Sequence, residues 1–159
     1  MSWDNSHIPT IRYEIVDEMG AIDTMAHALT KAGLGSVVPQ LKSMRHKTML
    51  YAQANLRVAS NKTVVKAQQL INQRQGHSKS GYIPTGNLIR NTKDHELAGG
   101  LVHEIYSEAT NKGYNYSQAF EFGLLDRNYP AQHPFTDAGK SMLSEVDLQM
   151  ARALQKGFN

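Results

Sequence analysis

The chain of 159 residues contains no cysteine. Disulfide staples and thiolate metal sites are thereby excluded, and a reducing or redox-indifferent setting is expected. No apolar run approaches the ~20 residues that a membrane-spanning helix needs. The first residues, Met-Ser-Trp-Asp-Asn-Ser-His, have neither a basic start nor an apolar stretch, so no secretory signal is read. The Asn-x-Ser/Thr triplets at Asn61 and Asn115 are accordingly read as chance. Proline is scarce, with 5 in the chain, and tryptophan occurs once. Apolar residues make up 40% and charged residues 19%, enough for one lean core in one domain spanning 1–159.

The most informative absence is of acid. Between Thr24 and Lys93 there is no Asp or Glu, while Lys31, Lys42, Arg45, Lys47, Arg57, Lys62, Lys66, Arg74, Lys79, Arg90 and Lys93 all fall there. The segments on either side are each net acidic, and the formal total is +3. A solvated monomer usually intersperses its signs, so this segregation asks for something to compensate the middle. Three readings stand: a solvated helix face, phosphate neutralisation on a nucleic acid, or docking of the acidic flanks of one subunit on the basic middle of the next. The first is weakened because Lys62 and Lys66 repel at i, i+4. The second lacks a recognition motif or an aromatic stacking series. The third, in a head-to-tail arrangement, builds a ring when the rotation closes.

Periodicity gives the organisation. Ile11 to Ile15 alternates apolar and polar as a half-buried strand does. Ala21 to Ala32 reads as a short helix with Ile22, Met25, Ala26 and Leu29 on one face, Asp17 or Asp23 near its start, and Gly33 and Gly35 ending it. Val37 to Gln75 has no glycine, and its one proline, Pro39, suits a first turn. A long helix is expected there, with a break near Ser60-Asn61. Gly76 to Pro84 is a loop. Leu101 to Ala109 alternates as a second strand, with turns expected at Gly99-Gly100 and Asn111-Lys112-Gly113. Tyr116 to Leu124 fits a short helix. Thr136 to Lys156 is the cleanest amphipathic helix, with Met142, Leu143, Val146, Met150 and Leu154 as its apolar stripe. The fold class is α+β: a small, mostly antiparallel sheet, including a third strand of unassigned position, packed against a long central helix and a C-terminal helix. Residues 1–35, 36–75 and 84–159 are its three parts.

Motifs for chemistry fail individually. Gly81 and Gly86 have P-loop spacing, but Asn87-Leu88 replaces the required Lys-Ser/Thr. His103-Glu104 opens a zinc-helix motif whose second histidine position is Ser107, and the pair lies on an expected strand. No nucleophile elbow or Ser-x-x-Lys pair is present. No catalytic, cofactor-binding or metal-ligating residue is assigned, and the expectation is a non-enzyme without a cofactor. The methionines fall mostly on helical apolar faces as core filler.

One ordered cluster is more specific. Pro84-Thr85-Gly86-Asn87-Leu88-Ile89-Arg90 follows the long helix. Tyr116-Ser117-Gln118-Ala119-Phe120-Glu121-Phe122-Gly123 follows the strand region, and Pro134-Phe135-Thr136-Asp137-Ala138 leads into the terminal helix. This order resembles the minor structural proteins of long-tailed bacteriophages that complete the tail or join it to the head, over roughly Lys42 to the C-terminus. The resemblance implies a virion protein, present in the host cytoplasm during assembly. It would be a subunit of a homo-oligomeric ring in the neck, contacting head-completion or connector proteins and the tail terminator or tail tube. DNA would pass through its channel without sequence specificity. The alternative is a small basic nucleic-acid-binding protein.

Interface candidates are then Lys42, Arg45, Lys47, Arg57, Lys62 and Lys66 of the basic helix, with Arg90, Glu121, Phe122, Arg127 and Phe135 of the motif segments. Within these segments, Thr85-Gly86 fits a tight turn, Glu121 lies among aromatics and needs a partner such as Arg90 or Arg127, and Phe135 reads as a buried plug.

Overall fold

A computed structural model of the chain describes residues 4–16, 19–76, 84–124 and 129–159. The chain is α+β. Strand β1 (Ile11–Glu14) leads to helix α1 (Met19–Lys31) and then to the 37-residue helix α2 (Val38–Arg74). A short helix α3 (Asn87–Arg90) precedes the hairpin β2 (Thr92–Leu97) and β3 (Val102–Ser107). A small ribbon, β4 (Thr110–Asn111) and β5 (Tyr114–Asn115), leads into α4 (Ser117–Phe122). Helices α5 (Pro134–Ser141) and α6 (Leu143–Phe158) follow.

The sheet has the order β1-β3-β2 and is antiparallel throughout, with Ile11 opposite Ile105 and Tyr13 opposite His103 on one side of β3, and Asp94 and Glu96 opposite the same pair on the other. Its inner face meets the C-terminal half of α2. There Ile11, Ile105, Ala67, Leu70, Ile71, Leu88, Phe120, Phe135 and Ala138 form the core. The third strand proves to be β2, whose Thr-Lys-Asp-His-Glu-Leu reads as polar. It fits at the edge of the sheet, where charged side chains also blunt further pairing.

Helix α2 runs unbroken through Ser60-Asn61, where a break was expected. No glycine or proline interrupts it there. Ala59, Ser60 and Thr63 are fully buried, the Thr63 hydroxyl donates to the Ala59 carbonyl (2.8 Å), and Tyr13 shares a hydrogen bond with the same hydroxyl (2.9 Å). Tertiary packing thus outweighs the weak local propensity. The end of α1 is a Schellman turn: Gly33 has φ +79° and the Leu34 N–H donates to the Leu29 carbonyl (2.8 Å). Asp17 lies outside the described residues, and Asp23 sits within α1 rather than at its start. The Gly76–Pro84 loop lies mostly outside the described residues. Both expected turns form, at Gly99-Gly100 and at Lys112-Gly113, where positive φ angles run in succession.

The expected single C-terminal helix is two. The chain bends at Met142, and the buried face of α6 is Gln149, Ala153 and Gly157 rather than the aliphatic stripe. Leu143 and Leu154 are exposed, while Met142, Val146 and Met150 are half-buried. Close approach of α6 to α2 selects the small side chains: a Cβ added at Gly157 falls 1.8 Å from Thr48 Oγ1 and 2.8 Å from Thr48 Cα.

Candidate interface and motif cluster

The three motif segments, distant from one another in sequence, converge on one region. Gly86 adopts φ +79° ahead of α3, and the Asn87 N–H points to Thr85 Oγ1 at 3.4 Å. Pro84 to Leu88 then line one wall of a cavity of about 460 Å³. Tyr116, Ala119, Phe120, Leu124 and Tyr129 line the other.

Glu121 joins the second and third segments. Its side chain is fully enclosed. One carboxylate oxygen accepts the Phe135 N–H at 2.8 Å; the other accepts the Thr136 N–H at 3.0 Å and the Thr136 hydroxyl. Pro134 occupies the first turn of α5, so these are the amide donors that no helical carbonyl can satisfy. The carboxylate also sits at the positive end of the helix. Main-chain bonds reinforce the joint, from Gln132 N–H to the Phe120 carbonyl (2.9 Å) and from His133 N–H to the Glu121 carbonyl (3.2 Å).

The expected arginine partner is therefore replaced by a helix N-terminus. Arg90 instead donates to the Thr85 carbonyl (3.1 Å), and Arg127 lies outside the described residues. Phe135 is buried as a plug. As interface candidates, Glu121 and Phe135 are corrected: both are enclosed within the chain's own fold. Phe122, next to Glu121, is exposed.

The basic helix candidates all lie on α2, and the fold answers much of the charge there. Lys62 meets Glu145 of α6 at 2.6 Å, Arg57 meets Glu96 of β2 at 2.6 Å, and Arg74 meets Asp137 of α5 at 2.7 Å. Arg57 and Lys62 hold the carboxyls of Glu96 and Glu145 below the usual range, with Gln149 assisting at Glu145. Lys47 donates to the Asn159 main-chain oxygen (2.9 Å) and lies 6.0 Å from the Tyr51 ring centre. Arg45 is half-buried. Lys42 and Lys66 make no ion pair among the described residues. The acid-free segment is thus partly neutralised by acids of the same chain, which the expectation of docking between subunits had reserved for a neighbour. Among the described acids, Asp23 and Asp147 are left without an ion pair.

Sequence reasoning passed over one buried pair. His103 is fully enclosed on the inner sheet face, its Nδ1 2.8 Å from Asp94 Oδ2, while its Nε2 and the buried Ser60 hydroxyl find no hydrogen-bond partner among the described residues. The alternation of β3 placed His103 on the same face as Ile105 and Ser107, but Asp94 belongs to the strand that polarity concealed. On the outer face His95 stacks on Tyr106 at 3.8 Å and reaches Glu108 at 2.9 Å, which lowers the carboxyl pKa of Glu108. Among the described residues no group of three His, Asp or Glu is placed to hold a metal ion, and no helix is long and apolar enough to cross a membrane. Comparison with protein-family models, with curated proteins and with solved structures returns no match.

Proposed function

We propose that this chain is a structural subunit of a homo-oligomeric ring in the neck of a long-tailed bacteriophage. It joins tail to head, works by assembly without a catalytic step, and leaves a channel for DNA. The reading is carried by the convergence of the three resembling segments. The Thr85-Gly86 turn and the Tyr116–Phe120 segment line the same cavity, and Glu121 of the second segment caps the helix opened by Pro134-Phe135 of the third. Residues that serve one packed joint have a physical reason to occur in that order and spacing. Its neighbours are the head-completion or connector proteins on one side and the tail terminator or tail tube on the other, and its place is the virion.

The test is direct. Particles of the phage that encodes the chain are purified, and the polypeptide is sought by mass spectrometry and by imaging of the neck. A ring of its density at the head–tail junction is expected. Its absence from particles overturns the reading.

The second reading, a small basic nucleic-acid-binding protein, is favoured by Lys42 and Lys66, which carry charge no acid of the described chain answers. A salt series on duplex DNA separates the two. A phosphate binder loses affinity steeply with salt, whereas the ring subunit has little duplex affinity at any ionic strength.

A further inference from the structure

Two exposed helix faces, one on α2 and one on α6, share one spacing. On α2, Leu50, Ala54, Val58, Asn61 and Val65 recur at i, i+4, i+8, i+11 and i+15, and all five are exposed. On α6, Leu143, Asp147, Ala151, Leu154 and Phe158 recur at the same intervals, and all five are exposed. Each stripe is about 22 Å long. In a helix whose amphipathicity is the strongest sequence signal in the chain, large aliphatic and aromatic groups left outside mark a contact surface rather than scattered surface apolars.

We infer that these two faces are the two halves of one contact between copies of this chain, the α6 face of one subunit seated antiparallel on the α2 face of the next. Polar and steric complementarity select a second copy as the occupant. The α2 stripe carries no charge; of the cations bordering it, Arg57 and Lys62 are already neutralised by Glu96 and Glu145 of their own chain, and Lys47 donates to the Asn159 main-chain oxygen. The α6 stripe carries one charge, Asp147, which has no ion-pair partner among the described residues. Asp147 stands four residues in from the start of its stripe, and Asn61, the one polar residue of the α2 stripe, stands four residues in from the end of its own. Antiparallel helices therefore set the Asn61 side-chain amide, a donor, against the Asp147 carboxylate. The same register seats Leu154 over Ala54 and Val58 over Ala151, large against small, with Leu143 and Phe158 meeting Val65 and Leu50 at the ends. Parallel helices would bring Asp147 against the methyl of Ala54 and Leu154 against Asn61, covering a carboxylate with no donor to receive it. Because the two faces are different, the contact is heterologous, and such contacts close into rings when the rotation permits. The inference deepens the ring reading by naming its subunit surfaces.

Mixing variants tests it, using the full chain. Leu154→Glu spoils the α6 face and Val58→Glu the α2 face. Both positions are exposed, so folding is retained, which circular dichroism verifies. By sedimentation velocity, wild type self-associates with rising concentration, and each variant alone stays monomeric or weakens at least tenfold. An equimolar mixture forms 1:1 dimers that grow no further, because one good half of the contact remains on each protein. The lack of cysteine permits a second measurement. Asp147→Cys protein mixed with Asn61→Cys protein gives a disulfide-linked heterodimer, and mixed with Ala54→Cys protein it does not. The inference is overturned if wild type is monomeric throughout, if either variant associates as wild type does, if the mixture gains nothing, or if Asp147→Cys links to Ala54→Cys in place of Asn61→Cys. Wild type that is monomeric but binds duplex DNA overturns the inference and favours the nucleic-acid reading, whose free cations, Lys42 and Lys66, lie outside the stripe. Absence of the chain from particles is a separate result and removes the ring reading while leaving the contact standing.

Discussion

Replacing Glu121 by glutamine tests the joint between α4 and α5 with the smallest steric change available. The carboxylate accepts three hydrogen bonds, from Phe135 N–H, Thr136 N–H and the Thr136 hydroxyl, in a fully enclosed site. Glutamine keeps one acceptor oxygen and turns an NH2 group toward a donor. At least one main-chain N–H of α5 then loses its partner, and the remaining bonds lose their charge assistance. An unsatisfied buried donor costs about 1–3 kcal/mol, and bonds to a charged group are worth about 1.5–3 kcal/mol against roughly 1 kcal/mol for neutral ones. The lost interaction with the helix dipole adds about 0.3–1 kcal/mol. The sum centres on about 4 kcal/mol, which for a chain of this length lowers the melting temperature by roughly 8–16 °C. Urea melts of wild type, Glu121→Gln, Thr136→Ala and the double variant form a cycle in which the Glu121–Thr136 coupling appears as non-additivity of about 1 kcal/mol or more. A Glu121→Gln protein within about 0.5 kcal/mol of wild type, a size typical of neutral surface changes, would refute the assignment of Glu121 as the cap of α5.

Two further outcomes follow from the packing and the ion pairs. Gly157→Ala destabilises by about 2 kcal/mol as overpacking does, and Thr48→Ala fails to rescue it fully because the new Cβ also falls 2.8 Å from Thr48 Cα; full rescue would show that the helices part easily. Glu96 and Glu145 have carboxyl pKa values below their ordinary 4.5, so their pairs stabilise the fold above that value and lose the contribution as pH falls through the depressed values. Glu96→Gln/Glu145→Gln is therefore less stable than wild type at pH 7 and converges with it as the pH falls below the depressed values, as urea melts at pH 7 and along an acid series would show; a gap that persists through the whole series contradicts the linkage.

The elements that were legible from the residues are those whose periodicity agrees with their burial. β1 and β3 alternate because one face meets α2. The long helix shows because no glycine interrupts it and Pro39 sits in its first turn. β2 was not placed because an edge strand facing water on one side carries Lys93 and His95 there, and Thr92, Asp94 and Glu96 on its other side are polar too. The buried face of α6 was misassigned for a related reason. Hydrophobic periodicity locates the largest apolar side chains, while the helix contact is set by how near the axes come. Gly157 against Thr48 needs the smallest side chains there and turns the leucines outward. The motif cluster was legible as an ordered set of residues, but its partner was not. Spacing marks Glu121 as a charge among aromatics; only the turn through His133, with φ +52°, aims the first amides of α5 at it.

Charge segregated along a chain is not charge segregated in space. Residues 94–159 fold back on α2 and lay Glu96, Asp137 and Glu145 on Arg57, Arg74 and Lys62. The acid-free run is thus complementary first to its own chain. This changes what can hold copies together. Had the acidic flanks been free, docking on a neighbour's basic helix would rest on long-range attraction and dissolve with salt. With those acids engaged, α2 and α6 offer a neighbour, apart from the unanswered Lys42 and Lys66, two uncharged or nearly uncharged stripes whose attraction is burial of Leu50, Val58, Val65, Leu143, Leu154 and Phe158. Association seen in the mixing experiment should then persist, or strengthen, when sodium sulfate is added, since such salts favour burial of apolar surface. Dissociation by modest salt would return the contact to opposite net charges and take the α6 stripe out of it.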